Sequence, residues 1–497
     1  MSNLKTELAR ARSRGVPLVA VRTADQPAAL ASIAEGCAPA PVVCADPVLG
    51  LRACNEAGQA AAAAMLGELD PAMATDATTA LTLASKLPED GVLVLLAGDR
   101  AMAEPRPAVA ALLLRDAFAS TGRTLIILGA SFAPAAELGS DVYVIDDDLP
   151  DETERRLAIA RLLADAGKAQ DSATVAAAVG YTRGLSRFAV EQTVALALNG
   201  QGLDLAVLAR VWREAIDRTP GLRVESTGEG SMDAIAGLEA LKGHATRVTG
   251  GKARPDVVVW VDELEKCVAG SAGAVADSSG ASQAVLGAIL TAMEQGGAEG
   301  LIMVGPPGTG KSLSATTIGA AAGVPTIQLQ PGRLKGSLVG QTEEQADRAM
   351  AVLRSMGGRA YWVATSNGLG TVPPELLRRF TDGVWMVDLP APAERKALWT
   401  MYLGKWQLAD KPPAPTADVG YAGADIRNVC RTAWRDGSSI ADVMASYVPA
   451  SKANDAGIKS MRNQASGAYR SASYQGAYRI PGEEPTAAPS PTRKLKV

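Results

Sequence analysis

Residues 300–312 read Gly300-Leu-Ile-Met-Val-Gly-Pro-Pro-Gly-Thr-Gly-Lys311-Ser312. Four apolar residues, Leu301 to Val304, fit a short buried strand. Gly305, Gly308 and Gly310, with Pro306, Pro307 and Thr309 between them, allow the backbone to curl. Lys311, Ser312 and Leu313 then open a run of helix formers. In such a loop, successive backbone N–H groups and a helix N-terminus converge on phosphate oxygens. Lys311 is spaced to reach the β- and γ-phosphates, and the Ser312 hydroxyl to ligate Mg²⁺. The stretch predicts binding of a nucleoside triphosphate.

Composition sets the outer bounds. A chain of 497 residues holds about two to four domains. With 49 basic against 53 acidic residues it projects no field toward nucleic acid or a membrane. Phe, Trp and Tyr are scarce, which argues against a base-stacking platform. Five cysteines without Cys-x-x-Cys spacing read as free thiols in a reducing compartment. One histidine, His244, excludes a histidine metal cluster. No apolar run approaches the roughly 20 residues of a membrane span, and the N-terminal stretch lacks the apolar core of a secretory signal. A cytoplasmic protein is expected.

Working outward, residues 1–200 alternate apolar runs (16–21, 92–97, 124–128, 142–145) with helical stretches such as 107–119 and 152–166. This is an α/β pattern with a mostly parallel sheet. It contains no Gly-Lys-Ser/Thr loop, so no hydrolysis is expected there. Two echoes link it to the second half. Val142-Tyr-Val-Ile-Asp-Asp-Asp-Leu-Pro150-Asp-Glu-Thr-Glu-Arg155 parallels Val384-Trp-Met-Val-Asp-Leu-Pro390-Ala-Pro-Ala-Glu-Arg395, and Val179-Gly-Tyr parallels Val419-Gly-Tyr. Ordered matches at similar spacing point to a duplicated module, or to two unrelated α/β domains.

Residues 201–256 read as a connector. Val257-Val-Val-Trp-Val261 is a buried strand ending in Asp262-Glu263. A carboxylate pair at a strand tip suits triphosphate hydrolysis: Asp262 for the Mg²⁺ shell, Glu263 to polarise the attacking water. Glu343 and Glu344 are the next candidates for that role. The strand 360–364 ends in Thr365-Ser366-Asn367, and Asn367 can touch the γ-phosphate or the water, or serve only as a turn residue. Residues 394–447 and 452–466 are helical around a break at 411–415. Residues 474–497, rich in Gly, Pro and Ser, read as a disordered tail, or the repeated Gly-Ala-Tyr-Arg (467–470 and 476–479) as a docking peptide.

Together these residues resemble the AAA ATPases. Residues 305–312 are similar to Walker A, Trp260-Val-Asp-Glu-Leu-Glu-Lys266 to Walker B, and Val363-Ala-Thr-Ser-Asn367 to sensor 1. Leu377-Arg378-Arg379-Phe380 resembles the arginine-finger segment. Gly423-Ala-Asp-Ile-Arg427 resembles the start of the sensor 2 helix, and Asp233-Ala-Ile235 the stretch beside the adenine. The doubled layout resembles the hypothetical-reading-frame AAA ATPases of chloroplast and cyanobacterial genomes.

The resemblance implies a P-loop parallel sheet (257–391), a helical lid (392–473) and a preceding AAA-like module without a P-loop (1–200). It also implies ATP and Mg²⁺ as ligands, and a homo-oligomeric ring, a hexamer, that remodels a protein partner. Arg379, with Arg378 beside it, would reach a neighbour's γ-phosphate, unless both form only surface salt bridges.

Three features depart from the family. The Walker B segment precedes Walker A, the pore-position loop 335–340 carries Leu338 and Val339 instead of an aromatic, and Gln283 replaces an arginine. The first predicts that strand 257–261 is transposed within an otherwise ordinary sheet of order 5-1-4-3-2, beside strand 360–364. The rival is a separate decoration. A nucleotide-gated scaffold that cycles slowly, without threading, is the alternative function.

Overall fold

A computed structural model describes residues 3–130, 132, 138–139, 141–168, 170–226, 232, 235–265, 281–295, 299–334, 341–356, 359–368 and 374–482, with backbone alone at 281–284, 295, 341–344 and 374. The pore-position loop 335–340, Asp233, Lys266, residues 483–497 and the side chains of Gln283, Glu343 and Glu344 lie outside this description. The chain forms two compact units, Met1–Ala215 and Ile216–Val497.

The first unit is built on a six-stranded sheet in the order Gly50–Ala53, Val42–Asp46, Val92–Leu95, Thr124–Gly129, Leu18–Arg22, Tyr143–Asp146. All pairs are parallel except the hairpin of Val42–Asp46 with Gly50–Ala53. The inner strands are unbroken apolar runs because helices cover both faces. Leu93, Leu125 and Ile127 enter one core, and Val92, Val94 and Ile126 the other. The four described cysteines are free.

In the second unit the order is Arg470–Ser471, Val384–Met386, Glu299–Val304, Ala360–Ser366, Val257–Val261, Thr326–Leu329, Leu222–Ser226. Only the last strand runs antiparallel. Counting from the strand before the glycine loop, the spatial order is 5-1-4-3-2. The third place is taken by Val257–Val261, which the chain makes before the other four. The first unit repeats this spatial order with its strands in ordinary chain sequence. The echoed arginines also correspond: Arg155 and Arg395 are both buried, and each donates from Nη1 to the proline carbonyl five residues earlier, at 2.7 and 3.1 Å.

Two expectations are corrected. Residues 201–256 are not a connector, for they supply helix Leu205–Asp217, edge strand Leu222–Ser226 and helix Glu239–Gly250. Leu208, Trp212 and Ile216 recur every four residues and are buried, a helical signal present in the sequence. Residues 474–482 are not a disordered tail. The two Gly-Ala-Tyr-Arg copies pair with each other, Tyr478 N donating to Tyr469 O at 2.7 Å and Gly467 N to Tyr478 O at 2.8 Å. Tyr478 is buried against Met386 and Ala465, and its hydroxyl donates to Asp388 Oδ2 at 2.6 Å.

Deleting 474–497 should therefore lower the unfolding free energy by about 3 kcal/mol, the scale of losing a buried aromatic. A chain ending at Gly482 keeps Tyr478 and is the comparison. Scanning calorimetry on both truncations checks this; identical melting would show that Tyr478 contributes nothing.

Candidate functional site

The glycine loop runs from strand Glu299–Val304 into helix Lys311–Ala322. Gly308 and Gly310 have φ of 80° and 98°, a region in which side chains are strained. A Cβ on Gly305 would lie 1.9 Å from the carbonyl oxygen of Val387, so that position admits no side chain. Across the loop, Ala424 N donates to Gly308 O at 3.0 Å, tying the lid helix Gly423–Asp436 to it.

Lys311 is 7% exposed. Its ammonium donates to the carbonyls of Gly305 (2.6 Å) and Pro306 (2.9 Å) and to Asn367 Oδ1 (3.1 Å). Burial pushes its pKa down to about 8, against the opposing pull of Glu265, Asp262 and Glu263. A desolvated ammonium at a helix N-terminus is stabilised by any anion that joins it.

The acidic side comes from two adjacent strands. Val257–Val261 pairs in register with Ala360–Ala364, which brings Asp262 and Thr365 together at the strand tips. Thr365 Oγ1 donates to Asp262 Oδ1 at 2.5 Å, and Ser312 Oγ lies 3.5 Å from the same oxygen. Ser312 and Asp262 could therefore hold one Mg²⁺, directly or through one water. Mg²⁺ bound there would take its further ligands from water and phosphate oxygens, as this ion prefers. Glu263 has φ 52°, a strained backbone of the kind found at functional sites, costing about 1–3 kcal/mol.

Asn367 is fixed from both sides. Its Nδ2 donates to Glu265 Oε1 at 3.2 Å while its Oδ1 accepts from Lys311. Ser366 Oγ donates to Glu265 Oε2 at 2.6 Å.

Lys311, Ser312, Asp262, Glu263, Thr365, Ser366 and Asn367 border a cavity of about 390 Å³. Its loop side is formed by Pro307 to Leu313, and its far side by Ile235, Leu398, Met401, Tyr402 and Arg427. Glu394 holds the far side together, accepting from Leu238 N at 3.1 Å and Ala391 N at 2.8 Å. Arg378 and Arg379 do not line the cavity: Arg378 is exposed and Arg379 is ion-paired with Glu294.

Sequence reading left Glu265, Thr365, Glu394, Asp388 and Tyr402 without a role. Glu394 carried a signal, since it repeats Glu154 of the first unit at the third position of the equivalent helix.

Residues 301–358 match the family model for the ATPase family associated with various cellular activities (AAA). The chain is 23% identical over 356 residues to the ycf46 AAA domain-containing protein of Trieres chinensis, covering 61% of this chain and 64% of that protein. It is 29% identical over 175 residues to the ycf46 proteins of Pyropia yezoensis and Guillardia theta, covering 26% of this chain and 35% and 34% of theirs. No described helix is long and apolar enough to cross a membrane.

A phosphate beside Lys311 raises its pKa, so binding above the free value takes up a proton. Affinity for a nucleotide should be flat up to about pH 8, then weaken toward a limit of about tenfold per pH unit. Isothermal titration calorimetry across that range tests it; a flat profile would mean Lys311 keeps its charge unaided.

Proposed function

We propose that this AAA-type chain, which resembles the ycf46 proteins, binds and hydrolyses Mg·ATP, assembles as a homo-oligomeric ring and remodels a protein partner. The observation that carries the reading is the convergence of Lys311, Ser312, Asp262, Glu263 and Asn367 on one cavity, although Asp262 and Asn367 are 105 residues apart in number.

In this reading the loop amides and Lys311 hold the phosphates, and the far wall with Ile235 holds the base. A cation bound by Ser312 and Asp262 neutralises charge on the phosphates. Glu263 orients the water and draws its proton, while Asn367 positions that water against the γ-phosphate. Arg427 reaches in from the lid. Arg379 acts on the neighbouring subunit's nucleotide, with Arg378 as the alternative. A finger acting in trans requires a head-to-tail interface that closes into a ring.

A second reading, a nucleotide-gated scaffold that turns over slowly, is favoured by one contact. Arg379 is held by Glu294 of its own chain and must leave it before it can serve a neighbour.

Glu263→Gln should keep Mg·ATP binding and cut turnover at least about a hundredfold, the scale of lost proton transfer; normal turnover would move the base elsewhere. Lys311→Ala should abolish binding. Arg379→Ala should bind normally and hydrolyse poorly, and mixing it with Glu263→Gln should restore part of the activity. No rescue in assembled mixtures would reject a shared site. Protein-stimulated turnover with unfolding of the bound partner selects the remodelling reading over the scaffold.

A further inference from the structure

The first unit has the sheet order of the second, so the cleft at the end of its first strand can be compared directly. In the second unit residues 305–310 join strand to helix. In the first, only Thr23, Ala24 and Asp25 join Leu18–Arg22 to helix Gln26–Gly36. The lid contact persists, with a different acceptor. Ala424, second residue of its helix, donates its amide to Gly308 O. Phe188, second residue of helix Arg187–Ala197, donates its amide to Asp25 Oδ2 at 3.1 Å.

The other oxygen, Asp25 Oδ1, accepts from Ala28 N at 3.2 Å and so caps the helix after the first strand. An ordinary N-cap serves one helix; this carboxylate joins two helix N-termini, each with the partial positive charge that attracts anions. Around it the cleft is tied by side chains. Arg187 donates to Ser32 Oγ (3.1 Å) and Glu154 Oε1 (3.3 Å), and Thr23 Oγ1 to Asp147 Oδ2 (2.8 Å). The remaining cavity is about 10 Å³, room for one water at most.

We infer that the first unit is self-liganded: the Asp25 carboxylate stands where a glycine loop would present a phosphate, and it holds the cleft shut without nucleotide. The first unit then needs no nucleotide to keep its cleft closed. The inference rests on the first unit alone and survives any revision of the hydrolysis mechanism.

The test is amide exchange on the full chain. In Asp25→Ala, amides at the starts of helices Gln26–Gly36 and Arg187–Ala197 should both exchange about tenfold faster, the scale of a lost cap. Inorganic phosphate should restore protection at both and leave wild type unchanged. Asp25→Asn, which keeps shape without charge, should show a smaller loss, and it serves if the alanine variant fails to fold. Loss at one helix only, loss that phosphate does not reverse, or ATP-dependent protection of residues 23–31 in wild type would overturn the proposal.

Discussion

Parallel pairing of Val257–Val261 with Ala360–Ser366 decides where the acidic side chains of the site stand. The register Val261↔Ala364 brings Asp262 and Thr365 to the same level, and one residue's slip would turn Asp262 to the other face of the sheet. The neighbouring register of Glu299–Val304 with the same central strand leads into the helix that sets Lys311 against Asn367 and Ser312 near Asp262. The central strand is therefore the ruler of the site. A strand made early in the chain can therefore stand at the centre of the sheet, because hydrogen-bonded position, and not chain order, sets which side chains meet at the strand tips.

Electrostatics then divides the cleft. Lys311, desolvated and held by two carbonyls and Asn367, faces three carboxylates that pull its pKa upward. Of these groups only Lys311 is buried; the three carboxylates are half-buried around it, near enough to oppose the loss of its charge. The first unit solves the same problem with Asp25, an acid supplied by the chain itself. Two copies of one architecture differ in whether the anion at the helix start is built in or brought in.

Local patterns in the sequence carried most of the second unit. Glycine spacing, an acid pair after an apolar strand and an Asn at a strand tip are each readable within about ten residues, because each is backbone geometry at a strand end. What escaped reading is nonlocal. Glu265 meets Asn367 across 102 residues, Glu394 meets Leu238 across 156, and Tyr478 meets Asp388 across 90. The last misled the reading of the tail, since Gly, Ser and Pro content measures how little a segment can bury, and one tyrosine with a partner outweighs it. Helix Leu205–Asp217 is legible by its four-residue apolar period, although its neighbours are turn-rich.

Moving one strand forward in the chain alters the order in which pairs can form. In the first unit, strand Val92–Leu95 meets an earlier neighbour, with Val42 opposite Val92. Its counterpart Val257–Val261 has both neighbours later, Val258 opposite Thr326 and Tyr361. Averaged over the four parallel core pairs, sequence separation is nevertheless about 80 residues in each unit, so contact order predicts similar intrinsic folding speeds. The cost appears during synthesis. A run of five apolar residues waits unpaired for about 65 residues, roughly 3–13 s of ribosomal elongation, in the composition most prone to strand addition from other chains.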